Sequence, residues 1–271
     1  MRFFSIYILA IILILSAYGC NWSPYNATNK IYRKQARNYA ARLKEQPDVE
    51  ANDSIKAPDH FVGTTNFTMR KPNFIVIHHT SQENSDQTLT TFTLPRTEVS
   101  SHYLISKDGT IYHLLSDYLR AHHAGAGKWG NVTDMNSCSL GIELDNNGKE
   151  PFTEPQIASL LSLLARLKQT YNIPTANFIG HADFAPTRKV DPSIYFPWKM
   201  LAEKGFGLWY SDTLKAAPEG FNPRLALRLI GYDTHDTTAV IRAFKRHYMQ
   251  DTGHQLSPMD MDVLNDLMYK N

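Results

Sequence analysis

From Asn73 to Ile77 the chain runs through β-branched and aromatic residues, bounded by Pro72 and by the polar run Thr80 to Asp86. An apolar run of that length between breakers predicts a buried strand, and it ends at His78. Ser139 to Asp145 alternates instead: Leu140, Ile142 and Leu144 line one face, while Glu143 and Asp145 lie on the other. Asn177-Phe178-Ile179 reads as another short strand, followed by His181 and an irregular loop containing Pro186 and Pro192. Lys107-Asp108-Gly109, between two strand-like runs, predicts a hairpin. Thr153 and Gln156 form a capping-box pattern ahead of Ile157, Leu160, Leu161 and Leu164, which recur at helical spacing. After about Tyr210 the pattern changes to short helices. Asn222-Pro223 opens one, Ala239, Val240, Ala243, Phe244 and Tyr248 stripe a second, and Ser257-Pro258 begins a third that runs to about Tyr269. Strands interleaved with helices predict an α/β domain.

Set on these elements is a group of side chains with a common chemistry. His78 and His181 offer imidazoles, Asp191 a carboxylate and Lys189 an ammonium. Neutral imidazole and carboxylate are good zinc ligands, and three protein ligands with a fourth position left for water is the catalytic arrangement, whereas structural zinc takes four. Lys189 and Asp191 point to the same side of an extended piece. The nine residues between His181 and Asp191 are enough for the chain to turn back. Hydrolysis also needs a base, and Glu143, on the polar face of its strand, is the candidate. Zinc and the Lys189 ammonium would offset charge on a carbonyl oxygen, which suits acyl transfer from an amide. Taken singly, each residue has a plainer explanation: a core histidine, a turn at Asp191-Pro192, a solvated strand carboxylate, a surface lysine.

In order along the chain stand IVIHHT, SSHYLISKDGTIYHLL, RAHHAGAGKWG, SLGIELDN, GHADFAPTRKVDP and FPW. From about Phe74 to Trp198 the sequence resembles the zinc-dependent N-acetylmuramoyl-L-alanine amidases, the type 2 family related to phage lysozyme-amidases and peptidoglycan recognition proteins. The resemblance implies a central mixed β-sheet flanked by helices. It also implies zinc held by His78, His181 and Asp191, with Glu143 and Lys189 as the catalytic pair. Between His78 and His79 it selects the first. His123 and Trp129 correspond to positions near the substrate, and His122 stands where the family usually has Trp. The implied reaction is cleavage of the amide between N-acetylmuramic acid and the first L-alanine of the stem peptide, on peptidoglycan or its fragments. Two rivals remain: a wall-binding module with little turnover, and a different zinc hydrolase such as a deacetylase or peptidase.

The amino terminus adds a location. Arg2 precedes an apolar run from Phe3 to Ala17 ending at Gly19-Cys20, which is secretory-signal anatomy. A Cys after a small residue resembles the bacterial lipobox, although Ala17 and Tyr18 depart from its usual pattern. The expectation is a signal peptide over 1–19, lipid on Cys20 and a tether over 20–60, helical between Lys30 and Glu45. A catalytic domain over 61–210 and a small three-helix, peptidoglycan-binding-like domain over 211–271 follow. The protein is expected to be an exported monomer, a lipoprotein of the outer membrane facing the periplasm. A chain of 271 residues, 42% hydrophobic and 20% charged, is ordinary globular material. Its formal charge of +2 gives no reason to invoke nucleic acid. With Cys20 assigned to lipid, Cys138 stands alone and predicts no disulfide.

Overall fold

The computed structural model describes residues 23–44, 64–66 and 68–270, so the signal segment, Cys20 and most of the predicted tether lie outside the described residues. It divides into two units, Met1–Phe67 and Thr68–Asn271. In the first, α1 (Asn26–Arg42) begins earlier than the Lys30 to Glu45 pattern predicts and buries none of its residues. No helix among the described residues is long and apolar enough to cross a membrane.

The second unit is built on a five-stranded sheet. Its strands are β1 (Phe74–His79), β2 (Tyr103–Ile105), β3 (Ile111–His113), β4 (Ser139–Leu144) and β5 (Phe178–Gly180), in the order β3-β2-β4-β1-β5. Only the β2–β3 pair is antiparallel, and it is the hairpin predicted at Lys107-Asp108-Gly109. Gly109 supplies the positive φ of 87° that the turn requires. The mixed sheet flanked by helices is the expected fold class.

Alternation divides the sheet into two faces. Ile75, Ile77, Leu140, Ile142 and Leu144 pack with α3 (Glu154–Tyr171), through Ile157, Leu160, Leu164 and Leu167. Thr153 caps that helix by accepting from the Gln156 amide, but the Gln156 side chain does not reach back as a capping box would. It donates instead to the carbonyls of Ile105 and Asp145, tying the helix start to the ends of β2 and β4. Before α3, α2 (Ser85–Thr93) is capped by Asn84. Beyond it lie α4 (Trp198–Glu203), α5 (Pro223–Ile230), α6 (Thr237–Phe244) and α7 (Pro258–Leu267). Asn222, Asp236 and Ser257 cap the last three.

The opposite face corrects the predicted domain division. Phe74, Val76, Ile179 and Phe184 share one buried cluster with Leu227, Ile230, Val240, Phe244, Val263, Leu264 and Leu267. The three C-terminal helices thus complete the core of the sheet itself and are not a separate domain over 211–271. The reason is the alternation: β1 is apolar on both faces, and α3 covers only one.

Candidate metal centre

His78 stands near the carboxyl end of β1 and is paired in register with Glu143 of the parallel strand β4. In-register neighbours share a face, so imidazole and carboxylate lie side by side on the face the C-terminal helices cover at its other end. His181 follows directly on β5, the other neighbour of β1, and opens a single helical turn, His181–Phe184, where the sequence suggested irregular loop. The chain then doubles back. Ala182 donates to the Asp191 carbonyl at 2.8 Å, and this returns the Asp191 carboxylate to His181.

Three atoms converge there. His78 Nδ1 and His181 Nδ1 are 2.9 Å apart, and Asp191 Oδ2 lies 3.1 Å from the first and 3.0 Å from the second. The hydrogen bonds of the outer ring nitrogens decide the protonation of the inner ones. Ser139 Oγ donates to the Met135 carbonyl at 2.6 Å and so accepts from His123 Nε2 at 3.1 Å. His123 Nδ1 is then the acceptor for His78 Nε2 at 3.0 Å. His181 Nε2 donates to the Ala124 carbonyl at 2.9 Å. Both rings therefore turn an unprotonated Nδ1 toward the same carboxylate oxygen. Three lone pairs facing one point repel unless a cation lies among them. Ligands tetrahedrally arranged about 2.0–2.1 Å from zinc would be about 3.3 Å apart, close to the spacing present. The donor set fits a divalent ion.

Burial, with the nearby His181 adding to it, lowers His78 to about 4, which keeps the ring neutral. Glu143 is half-buried, and its Oε2, which is fully buried, has no hydrogen-bond partner among the described residues. Burial pushes its pKa up to about 8, reinforced by the charge of Asp191 and opposed by that of Lys189. Lys189 itself is half-buried and forms no ion pair among the described residues. The five residues singled out for chemistry are thus brought into one neighbourhood.

Residues 68–194 match the sequence profile described as N-acetylmuramoyl-L-alanine amidase. That segment is similar to the N-acetylmuramoyl-L-alanine amidase family. It is 37% identical over 151 residues to the amidase AmiD of Escherichia coli, a match covering 50% of this chain and 54% of that protein. It is 36% identical over 102 residues to the 1,6-anhydro-N-acetylmuramyl-L-alanine amidase AmpD of Haemophilus influenzae, covering 37% of this chain and 55% of that one. The chain thus spans about half the length of these relatives in sequence. In structure the likeness extends further. The complex of E. coli AmiD with anhydro-N-acetylmuramic acid-L-Ala-D-γ-Glu-L-Lys superposes with a TM-score of 0.69 at 28% identity, over 77% of this chain and 93% of that one. AmpDH3 of Pseudomonas aeruginosa gives 0.68 at 26%, over 80% and 98%.

Two residues of the family segment differ from their expected setting. His123, expected near substrate, is 9% exposed, and both its nitrogens are engaged inside the protein. Gly141 makes room for its ring: a Cβ there would lie 2.5 Å from the imidazole. Trp129, also expected near substrate, is 9% exposed and meets Tyr232 edge-on at 4.9 Å, with Gly231 against its ring. Spacing alone gave no sign that Tyr232 would cover Trp129 or that Gly141 would make room for His123. His79 turns the other way and accepts from the Ser193 amide. His102 accepts from the Gly141 amide, and the exposed His122 contacts the Glu98 carbonyl.

Several residues that sequence reasoning passed over hold the His181 turn. Asp183 Oδ2 accepts from the Gly180 amide and from His247 Nδ1, both at 2.7 Å, and its Oδ1 accepts from Tyr232 at 2.8 Å. His247 sits in a π-helical turn, Lys245–Met249, and stacks on Trp198 at 3.9 Å. Tyr232 and His247 both lie beyond the family segment. Arg188 donates to the carbonyls of Ala124 and Ala126, fixing the loop that receives His181 Nε2. A carboxylate in GHADF was the visible signal for Asp183, but its partners are some fifty or more residues away.

Proposed function

We propose that this protein hydrolyses the amide between N-acetylmuramic acid and L-alanine in peptidoglycan fragments, with zinc held by His78, His181 and Asp191. The carrying observation is the convergence of two unprotonated imidazole nitrogens and one carboxylate oxygen within 3.1 Å of one another. When bound, zinc supplies Lewis acidity and lowers the pKa of water to about 7. Glu143, with an unpartnered buried oxygen, takes a proton from the attacking water and hands it to the departing nitrogen. Lys189, free of any carboxylate among the described residues, places its ammonium where charge develops on the carbonyl oxygen. The substrate class is supported by AmiD, solved with an anhydro-muropeptide. We read the amino terminus as a signal with lipid on Cys20, holding a periplasm-facing enzyme to the outer membrane. Acyl chains on one Cys hold a protein without a spanning helix.

Mass spectrometry of anhydro-muropeptides incubated with the purified protein tests the reading. Free muramyl sugar and an intact stem peptide are expected, abolished by chelation and restored by zinc. Muropeptides left whole by the zinc-loaded protein would favour a binding module, and products cut elsewhere would favour another hydrolase.

A further inference from the structure

From Asn26 to Lys44 the chain carries Lys30, Arg33, Lys34, Arg37, Arg42 and Lys44 and no Asp or Glu. At 100° per residue, Lys30, Arg33, Lys34 and Arg37 fall within an arc of about 100° on α1. All four are exposed, and none has an ion pair among the described residues. Tyr25, Tyr32 and Ala36 occupy the other side and are partly covered. Lys30 and Lys34, like Arg33 and Arg37, are four residues apart, the spacing at which like charges weaken a helix. A helix serving only as a spacer gains nothing from that arrangement. One that rests on an anionic surface gains attraction from every member of the arc.

The order of charge along the chain says which surface. Cys20, read above as carrying the lipid, stands six residues before α1 begins, so the helix starts within about 20 Å of the bilayer that holds the lipid. Past Lys44 the sign reverses: Glu45, Asp48, Glu50, Asp53 and Asp59 stand against Lys56 alone. A negative bilayer surface draws the first block in and repels the second over a Debye length of roughly 8–10 Å. We propose that the Lys30, Arg33, Lys34 and Arg37 face of α1 docks on a bilayer carrying anionic phospholipid headgroups, laying the helix along the membrane. The docking rests on the reading that the amino terminus brings the chain to a bilayer, while the charge pattern is a property of the helix itself.

The test compares the full-length chain with its Lys30→Gln, Arg33→Gln, Lys34→Gln, Arg37→Gln variant. Vesicles are made of phosphatidylcholine alone or of phosphatidylcholine mixed with phosphatidylglycerol. Co-flotation is measured first, then amide hydrogen exchange over residues 26–44. The docked helix exchanges at least tenfold more slowly on the mixed vesicles than on the neutral ones, and high salt removes the difference. Neutralising four charges lowers the preference for the mixed vesicles roughly a hundredfold or more, since each basic residue near such a surface contributes about 1 kcal/mol. Flotation with mixed vesicles only would support the docking while overturning the anchor. Flotation with both and identical exchange on both would overturn the docking alone, and flotation with neither would overturn both. Salt-sensitive protection that is equal on the two surfaces would assign the basic face to residues 45–59 and also overturn the docking.

Discussion

The strand side of the site and its loop side hold their ligands by different means. His78 and Glu143 project from β1 and β4 in register, and the backbone ladder fixes them. Behind His78 the support is short and local to the family segment: His123, Ser139 and the Met135 carbonyl. His181, Lys189 and Asp191 sit on a loop with no such ladder. Their support is carried by Asp183 and Arg188, and Asp183 is gripped by Tyr232 and His247 from the C-terminal helices. The difference teaches that the ligands and their supports need not belong to the same stretch of sequence.

Removing residues 211–271 puts the comparison under its harshest strain. Leu227, Ile230, Val240, Phe244, Val263, Leu264 and Leu267 are buried against Phe74, Val76 and Phe184. Burial of each contributes about 1.5–3 kcal/mol, and the sum, about 10–21 kcal/mol, is as large as the roughly 5–15 kcal/mol by which a domain is stable. The truncated chain should lose its near-ultraviolet circular dichroism and its cooperative melt. A folded, metal-binding 1–210 fragment would show that the loop side supports itself. Next in size, Glu143→Gln should lower kcat by about 10²- to 10⁴-fold while zinc affinity, read by chelator competition, stays within a few-fold. Equal loss of both would make Glu143 a determinant of the metal site and not a base.

The two supports can then be set against each other. Tyr232→Phe leaves Asp183 Oδ1 without its partner in a buried place, and His247→Gln breaks the second grip. Zinc affinity should fall about 10- to 100-fold in the double variant, the range found when outer partners of metal ligands are lost. Ser139→Ala, which frees the far end of the His123 relay, should cost less, because the β1–β4 ladder still orients His78. Larger loss from Ser139→Ala would reverse the comparison.

The smallest effect lies far from the metal. Asp117 accepts from Tyr103 of β2 and from Tyr171 at the end of α3, both at 2.7 Å. Burial alone would raise its pKa, but hydrogen bonds from His113, Tyr103 and Tyr171 outweigh it and bring Asp117 to about 2. In the unfolded chain the value is about 3.9, so the folded state binds this proton less readily. The resulting stability, about 1 kcal/mol after screening, is complete above pH ~4 and vanishes as pH falls through 2. Asp117→Asn should therefore melt below the native protein at neutral pH, with the gap closing on acidification and zinc affinity unmoved. A gap that persists in acid would remove the ionised carboxylate from the account.

What the sequence made legible follows the same division. The apolar run before His78, the alternation through Glu143 and the spacing from His181 to Asp191 are local patterns, and the ligand set emerged from them. The resemblance chose His78 over His79, and the register of β1 with β4 agrees. Asp183 carried no such pattern, because its partners at 232 and 247 are joined to it only by tertiary packing. His123 and Trp129 are more covered than their sequence setting suggests, for a related reason. A tryptophan in a loop suggests exposure until Tyr232 and Gly231 are known to lie against it, while His123 is enclosed by Asn136, Ser139 and Gly141 of its own segment. The C-terminal helices themselves were correctly drawn, but periodicity shows that a stripe is buried and says nothing of what buries it.

Ala124 O accepts both His181 Nε2 and the Arg188 guanidinium. Arg188 is exposed, so a reagent that modifies arginine would loosen the hold on the His181 ring from outside the buried cluster.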